Sequence, residues 1–261
     1  MTRSSRSCAR RVLAWLWGGG LAALLAGCGS TMQRPVELDT CRLTPFSGGS
    51  PGGVFPLGWA PWSLSQYKRP TQYRLVAEGE TTVVEAQADR SASGLAHPLD
   101  VETARCGELV WRWKVDLAIP GADPRQATHD DSPARVIVVF DGDRKRFDFD
   151  DRLFSARIKA FTGQDLPYAT LIYAWEDALA SGSIVASPHT GRIRTLALGG
   201  PGTSVGAWAE FRRDLRADYR QAFGEEPGRI RSVALMTDAD NTGRQARAFY
   251  GDVALRPNGG L

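Results

Sequence analysis

Strict alternation of apolar and polar residues over 108–119 constrains the fold of this chain more than any other feature. The segment reads ELVWRWKVDLAI, and every second side chain is large and apolar: Leu109, Trp111, Trp113, Val115 and Leu117. Successive side chains of a β-strand point to opposite faces, so this period of two predicts a strand with one buried and one solvated face. Such strands are typical of antiparallel sheets, in which one face can meet water.

Similar patterns along the chain predict that most of the domain is β-structure. Residues 73–77 and 82–88 alternate on either side of the turn Glu78-Gly79-Glu80 and predict a hairpin. The run 135–140, RVIVVF, is apolar on both faces, which indicates a central strand. Further strands are predicted over 170–175, 192–198, 230–237 and 247–255.

One segment has helical spacing instead. Between Gly206 and Gly224 the apolar side chains recur at intervals of three and four, at Trp208, Phe211, Leu215 and Tyr219. A single helix among so many strands excludes alternating βαβ units, which need a helix after nearly every strand. The sequence therefore predicts an all-β fold, an antiparallel β-sandwich of the jelly-roll or galactose-binding-like type with one inserted α-helix.

The N-terminus predicts export and lipid attachment. Four arginines precede an apolar run from Val12 to Leu25, which is shorter than the roughly 20 residues that a membrane-spanning helix needs. The run ends in Leu25-Ala26-Gly27-Cys28, which resembles the bacterial lipobox. By that resemblance Cys28 carries the lipid, and Gly29 after it favours the outer membrane, facing the periplasm.

We therefore expect three parts in the chain. They are a lipoprotein signal peptide over 1–27, a Gly/Pro/Ser-rich tether over 28–58 and a single β-sandwich domain over 59–258. Removal of the signal takes away four arginines and no acids, which leaves 28 basic residues against 29 acidic ones. The remaining charges are interspersed, so we expect no nucleic-acid partner.

Two of the four cysteines are left for the domain. Cys8 falls in the signal and Cys28 at the lipid attachment site, so Cys41 and Cys106 remain as an even pair. They are a disulfide candidate in an oxidising compartment, and two separate buried thiols are the alternative. A metal site is disfavoured, because neither cysteine has a second ligand two to four residues away.

Carboxylates cluster in the loops between the predicted strands, at 130–131, 141–143, 148–151 and 238–240. Polar turns, a Ca²⁺ site and the carboxylate pair of a glycoside hydrolase are the open interpretations. A structural Ca²⁺ is thus the one cofactor that we consider. The motif GTSVG at 202–206 matches a hydrolase nucleophile elbow, but all three histidines precede Ser204, so the triad cannot close in the order of that fold.

Four segments together are similar to the bacterial domain-of-unknown-function 3047 family. They are DDSPARVIVVFDGD at 130–143, YAWE at 173–176, GAWAEFRRDLRADYRQAFGEEP at 206–227 and MTDADNTGRQARAFYGDVAL at 236–255. The resemblance implies an exported envelope protein with no assigned activity, and it supports the pattern positions Asp131, Arg135, Trp175, Trp208, Arg213, Asp214, Asp218, Asp238, Asp240, Asn241 and Asp252. The ending FYGDVAL also resembles the last strand of carbohydrate-binding jelly rolls, where the acid, here Asp252, often helps to hold Ca²⁺.

These features lead us to expect a non-catalytic, lipid-anchored β-sandwich module that binds a cell-envelope glycan or a related polar ligand. The candidate ligand-binding residues are Asp131, Arg135, Trp175, Trp208, Arg213, Asp238, Asp240 and Asn241. Two alternatives stay open. One is a structural or assembly lipoprotein that contacts envelope proteins, and the other is a hydrolase of glycans or esters that uses the aspartate-rich loops.

Overall fold

A computed structural model gives the structure of the chain and describes residues 41–63, 65–199 and 202–258. The predicted signal peptide and Cys28 lie outside the described residues. The strands are β1 Ala60–Trp62, β2 Gln72–Glu78, β3 Thr81–Asp89, β4 Ala92–Glu102, β5 Glu108–Leu117, β6 Ser132–Phe140, β7 Ala169–Glu176, β8 Ile184–Ser187, β9 Thr190–Gly199, β10 Trp208–Asp214, β11 Arg229–Asp238, β12 Gln245–Tyr250 and β13 Ala254–Arg256. The α-helices are α1 Phe149–Thr162 and α2 Leu215–Phe223, and short 3₁₀ turns occur at Phe46–Gly48 and Arg144–Arg146.

The strands form two sheets that face each other. One has the order β1-β4-β11-β6-β7-β9-β8, and the other has the order β10-β5-β12-β3-β2 with β13 added to β5. Only β7 and β9 run parallel among these neighbours. Trp111 of β5 lies 5.0 Å from Tyr173 of β7, ring centroid to centroid, so the core fills the space between the sheets. The predicted antiparallel β-sandwich is confirmed.

The seven-stranded sheet also has structure on its outer face. Side chains of β6 alternate, so that Ala134, Val136 and Val138 enter the core while Ile137 joins a separate apolar cluster on the other side of the sheet. That second cluster contains Ala92, Ile137, Ala234 and Met236, and Trp62 of β1 packs against it.

The segment 206–224, which was predicted as a helix, forms a strand in its first half and a helix in its second half. Residues Trp208–Asp214 pair along β5 as β10, and the helix starts only at Leu215. The carboxylate of Asp214 accepts hydrogen bonds from the backbone N–H groups of Arg216 and Ala217 and so caps α2, while Gly224 ends it in the left-handed conformation. The second helix, α1, was not predicted, because its apolar residues do not mark one buried face: Phe154 and Ile158 face the domain while Phe149, Leu153 and Phe161 are exposed.

The chain joins the domain earlier than the predicted tether allows. Leu43 and Phe46 are buried in the core, and Cys41 forms a disulfide with Cys106, with their Cα atoms 5.4 Å apart. The part of the predicted tether from 41 to 58 therefore contains packed structure, because Leu43, Phe46 and Phe55 pack against the core while Val54 and Leu57 stay exposed. No helix in the described part of the chain is long and apolar enough to span a membrane.

The two ends of the sandwich carry different features. We call the α1 end the one at which β6 ends and β7, β9 and β11 begin; α1 connects β6 to β7 there. The disulfide lies at the same end, because Cys106 follows the last residues of β4, which pair with the start of β11. We call the opposite end, at which β6 begins and β7 and β11 end, the Arg135 end.

Candidate functional site

Five of the eight predicted ligand-binding residues come together at the Arg135 end of the seven-stranded sheet. They are Asp131, Arg135, Asp238, Asp240 and Asn241. The fold explains the convergence, since the start of β6 pairs with the end of β11 and the turn after β11 lies beside the loop before β6. Residues that are about a hundred positions apart in the sequence are therefore in contact.

Arg135 is the centre of this cluster. Its Nη1 donates to Asp238 Oδ2 at 2.9 Å and its Nη2 donates to Asp130 Oδ1 at 2.6 Å. The residue is 5% exposed. Burial acts to lower the pKa of Arg135, but the charges of Asp238 and Asp130 raise it, so the guanidinium stays charged.

Glu176 completes the cluster, and it was missed in the sequence. Arg135 pairs with Ala174 on β7, so Glu176 is the next outward position on that strand and a diagonal neighbour of Arg135. Burial raises the pKa of Glu176 to about 8; the charge of Arg135 opposes the shift and that of Asp130 adds to it. A neutral Glu176 follows at neutral pH. The sequence signal for Glu176 was its position at the end of the YAWE segment. It lies two residues after Ala174, so both residues face the same side of the sheet.

Asp238 occupies the other side of Arg135. Its carboxylate accepts from Arg135 and from the backbone N–H of Ser132, the latter at 3.1 Å. Burial raises the pKa of Asp238, and the direct contact with Arg135 opposes that shift. One guanidinium thus faces several carboxylates in a region with little solvent, so the cluster favours retention of a proton.

Asp131 and Asn241 hold the turn between β11 and β12. The carboxylate of Asp131 accepts from the backbone N–H of Asn241 at 3.1 Å and from that of Thr242 at 2.7 Å. It also accepts from the Thr242 hydroxyl at 2.6 Å, and the Asn241 amide donates to the Asp130 carbonyl at 3.1 Å. These contacts position the cluster, and they occupy three of the roughly four acceptor directions of the Asp131 carboxylate.

Three buried polar atoms in this region have no hydrogen-bond partner among the described residues. They are Arg135 Nε, Glu176 Oε1 and Asp240 Oδ1, one donor and two acceptors. Asp240 lies nearby, because carboxylate oxygens of Asp131, Asp238 and Asp240 are within 4.8 Å of one another. Its second oxygen, Oδ2, accepts from Lys68 Nζ at 2.6 Å. An unsatisfied buried polar group is rare in a native fold and marks the place where a ligand or water is expected.

The same aspartates do not suit a metal ion. The oxygens of Asp131 and Asp238 already accept from backbone N–H groups and from Arg135, and a cation would have to displace these donors beside a fixed positive charge. Asp252, predicted as a Ca²⁺ ligand, lies elsewhere and accepts from the backbone N–H of Ser47 at 2.9 Å and from its hydroxyl at 2.6 Å. It fastens the N-terminal segment to the last loop.

The remaining predicted residues do not join the cluster. Trp175 is buried in the core between the sheets. Trp208 lies on the outer face of the six-stranded sheet, where the Arg112 guanidinium stands 4.6 Å from its ring centroid. Arg213 forms an ion pair with Asp218, which also accepts from the Tyr173 hydroxyl at 2.7 Å.

An aromatic residue that the sequence did not single out lies on the cluster's own face. Pairing across four strands places Trp62, Gly94, Met236 and Arg135 in one row. A Cβ on Gly94 would lie 2.3 Å from the Leu235 carbonyl oxygen and 3.2 Å from the Trp62 ring, so only glycine fits beneath the indole. Trp62 and Arg135 are three strands apart, roughly 14 Å between Cα atoms.

The fold and the site define an antiparallel β-sandwich protein with a buried arginine–carboxylate cluster at one end of its larger sheet. Residues 57–254 match the model of a protein family of unknown function, DUF3047, and the chain belongs to that family. No curated protein matches the chain.

Solved structures with a similar fold are distant in sequence. Endoglucanase 3 of Trichoderma harzianum, from family GH12, is 8% identical with a TM-score of 0.39 over 77% of this chain and 91% of its own. TmCBM61 in complex with β-1,4-galactotriose is 8% identical with a TM-score of 0.33 over 77% and 90%. Arabinose-bound MgGH51 α-L-arabinofuranosidase is 8% identical with a TM-score of 0.38 over 82% of this chain, which spans only 25% of that enzyme. The fold assignment rests on the strand pairing described above and not on these similarities.

Proposed function

We propose that this protein is a lipid-anchored, non-catalytic β-sandwich module that binds a hydroxyl-rich envelope glycan at the Arg135 cluster. The observation that carries the proposal is the set of three partnerless buried atoms, Arg135 Nε, Glu176 Oε1 and Asp240 Oδ1. Each such atom costs about 1–3 kcal/mol when it is left unpaired, so a ligand that satisfies all three gains binding energy that water-exposed groups do not offer.

The chemistry of these atoms selects the ligand class. Arg135 Nε requires an acceptor, while Asp240 Oδ1 requires a donor. A hydroxyl group can do both, and adjacent hydroxyls on a sugar ring present donors and acceptors side by side. A purely anionic ligand would meet repulsion from Asp130, Asp238 and Asp240. A neutral polyol therefore fits the cluster better than a phosphate or a carboxylate.

The three partnerless atoms are buried beneath a rim that is partly exposed to solvent. Asp130 and Asp240 are partly exposed at their side chains, and Lys68 stands beside Asp240 in the loop after β1. On the same face the partly exposed Trp62, which packs against the buried Met236 cluster, offers an apolar surface for the C–H groups of a sugar ring. Trp62 thus takes the stacking role that the sequence suggested for Trp175 and Trp208.

The cellular context of the proposal comes from the N-terminus. An apolar run and a lipobox-like Cys28 support export and lipid attachment at the outer membrane, with the domain in the periplasm. The Cys41–Cys106 disulfide is compatible with an oxidising compartment. Mass spectrometry of the mature N-terminus, with Cys28→Ala as the control, tests this part; an unmodified Cys28 would contradict it.

Calorimetric titration tests glycan binding. The probes are oligosaccharides prepared from peptidoglycan and from lipopolysaccharide core, titrated into the wild-type chain and into Trp62→Ala and Glu176→Ala. We expect each variant to weaken binding by about tenfold or more, since the loss of one satisfied buried hydrogen bond or one stacking contact costs about 1.4 kcal/mol. Trp208→Ala is the matched control on the opposite sheet and should bind as the wild type does. No binding by the wild type, or loss only in Trp208→Ala, would overturn the proposal.

Glycan hydrolysis is a second candidate, favoured by one observation. A carboxyl group with a pKa near 8, as in Glu176, stays protonated at neutral pH, and glycosidases use such a group as the general acid beside an ionised carboxylate. If the protein is a hydrolase, Glu176→Gln abolishes release of nitrophenol from nitrophenyl glycosides while glycan binding persists. Absence of turnover by the wild-type chain on the glycans that it binds rejects this candidate.

A further inference from the structure

Helix α1 presents an apolar surface on the side that faces away from the protein. Its inward side chains are Asp151, Phe154, Ser155, Ile158 and Thr162, at helical spacing. On the opposite side Phe149, Leu153, Ala156 and Ala160 follow the spacing of four, three and four residues that defines one helix face. Phe149 is 77% exposed and Leu153 is 51% exposed. Single exposed apolar residues are ordinary, but several on one helix face mark an interaction surface.

Basic side chains flank this surface. Arg152 lies on one side of the apolar stripe and Arg157 on the other, where the exposed Asp150 also lies, and Lys145 is in the 3₁₀ turn that precedes the helix. None of these three cations has an acidic partner among the residues that the structure describes. A helix with an exposed apolar stripe and basic flanks is the arrangement by which amphipathic helices lie on anionic lipid surfaces.

The position of α1 adds an independent geometric argument. The disulfide fixes Cys41 at the α1 end, so the chain before it leaves the domain at that end. Cys28 lies 13 residues before Cys41, a length that spans at most about 45 Å when fully extended. A lipid carried on Cys28 therefore limits the distance between Cys41, at the α1 end, and the membrane to about 45 Å.

We propose that the outward face of α1 rests on the phospholipid surface of the membrane that holds the anchor, with Phe149 and Leu153 in the headgroup region. The proposal rests on the lipid anchor of the proposed function. Its consequence is an orientation: the α1 end faces the lipid, and the Arg135 end, with the glycan site, faces away from it. The anchor gives stable attachment, and α1 selects which side of the domain meets the bilayer.

Depth-dependent fluorescence tests the orientation. The mature, lipid-anchored protein is reconstituted in vesicles of phosphatidylethanolamine and phosphatidylglycerol after a bimane label has been attached at Leu153→Cys. The matched control is Leu117→Cys, the same residue type at 47% exposure, near the Arg135 end of the six-stranded sheet. We expect lipid-borne nitroxide to quench the label at 153 and not the label at 117. Arg152→Glu/Arg157→Glu should reduce the quenching at 153 severalfold, because each basic residue near an anionic surface contributes roughly a factor of five.

The outcomes separate the helix from the anchor. Equal quenching at positions 153 and 117 would overturn the proposal. A label at 153 that is shielded from water but not quenched by lipid would also overturn it, because this result indicates a protein partner or a second copy. Labelling of the parent chain, which has no introduced cysteine, would show that Cys28 is free and that the anchor proposal fails. In that case flotation of the unanchored protein with the same vesicles tests α1: flotation that Arg152→Glu/Arg157→Glu abolishes supports lipid contact, and no flotation contradicts it.

Discussion

Arg135 is the residue on which the site and its stability both depend. It is a single buried cation among Asp130, Asp238 and Glu176, so its removal leaves carboxylates in a region from which water is largely excluded. We predict that Arg135→Met lowers the free energy of unfolding by about 3–5 kcal/mol, the usual cost of breaking a buried ion pair from one side. Urea unfolding followed by tryptophan fluorescence measures this change.

An exposed arginine provides the control for that prediction. Arg212 pairs with Glu108 on the outer face of the six-stranded sheet, with 53% of its side chain exposed, and Arg212→Met should change stability by less than about 1 kcal/mol. Similar losses in both variants would show that burial does not set the role of Arg135. Arg135→Lys keeps the charge but not the two-pronged geometry, so it should fall between Arg135→Met and the wild type.

The residues of the candidate site could be predicted from the sequence where a polar side chain lies in a loop next to a strand end. Asp131, Asp238, Asp240 and Asn241 were recognised for that reason, because acidic turns between apolar strands are visible in the sequence. Glu176 was not, although its segment was singled out. Whether a strand side chain faces the core or the outer surface depends on register with neighbouring strands, and the pairing of Arg135 with Ala174 is a property of the assembled sheet.

At the scale of elements, β10 shows how two periods can coincide in one stretch. Trp208 and Phe211 are three residues apart, which places them on one face of a helix but on opposite faces of a strand. The structure takes the strand solution: Phe211 enters the core and lies 5.1 Å from Trp111, while Trp208 faces outward. Asp214 was the sequence signal for the start of the helix at Leu215, since aspartate is a preferred N-cap directly before the first helical residue.

The N-terminal segment is the element that the disulfide holds in place. Cys41 and Cys106 are 65 residues apart in sequence, and the bond restricts the unfolded chain more strongly as that separation grows. We predict that Cys41→Ser/Cys106→Ser lowers the free energy of unfolding by about 4 kcal/mol in the chain-entropy model. Urea unfolding of the wild-type chain with and without reductant checks this value. We expect reductant to lower the stability of the wild type and to leave that of the double variant unchanged. Equal stability of the reduced and the oxidised wild type would contradict the prediction.

The two ends of the sandwich carry different structural features. The packed N-terminal segment, the disulfide and the exposed face of α1 occupy one end, and the Arg135 cluster occupies the other. The sandwich between them is rigid in the sense that both sheets share one core. The sequence could predict that core from alternating strands, but not the division into ends, because each end is assembled from loops that are far apart along the chain.

Stability of the whole domain should therefore report the charge state of its Arg135 end. The pKa of Glu176 is about 8 in the folded protein against 4.5 for an ordinary glutamate, so the folded state retains a proton that the unfolded state releases. The stabilisation is complete below about pH 4.5 and is lost as the pH rises towards 8. Across this window the free energy of unfolding falls by up to about 1.4 kcal/mol per pH unit. Urea unfolding at intervals from pH 5 to pH 8, about one unit apart, measures the slope. Glu176→Gln is always neutral and should reduce the slope to the part that Asp238 contributes, because burial raises the pKa of Asp238 as well. Glu80→Gln, in the exposed turn between β2 and β3, should leave the slope unchanged. A slope as steep in Glu176→Gln as in the wild type would place the retained proton on another group.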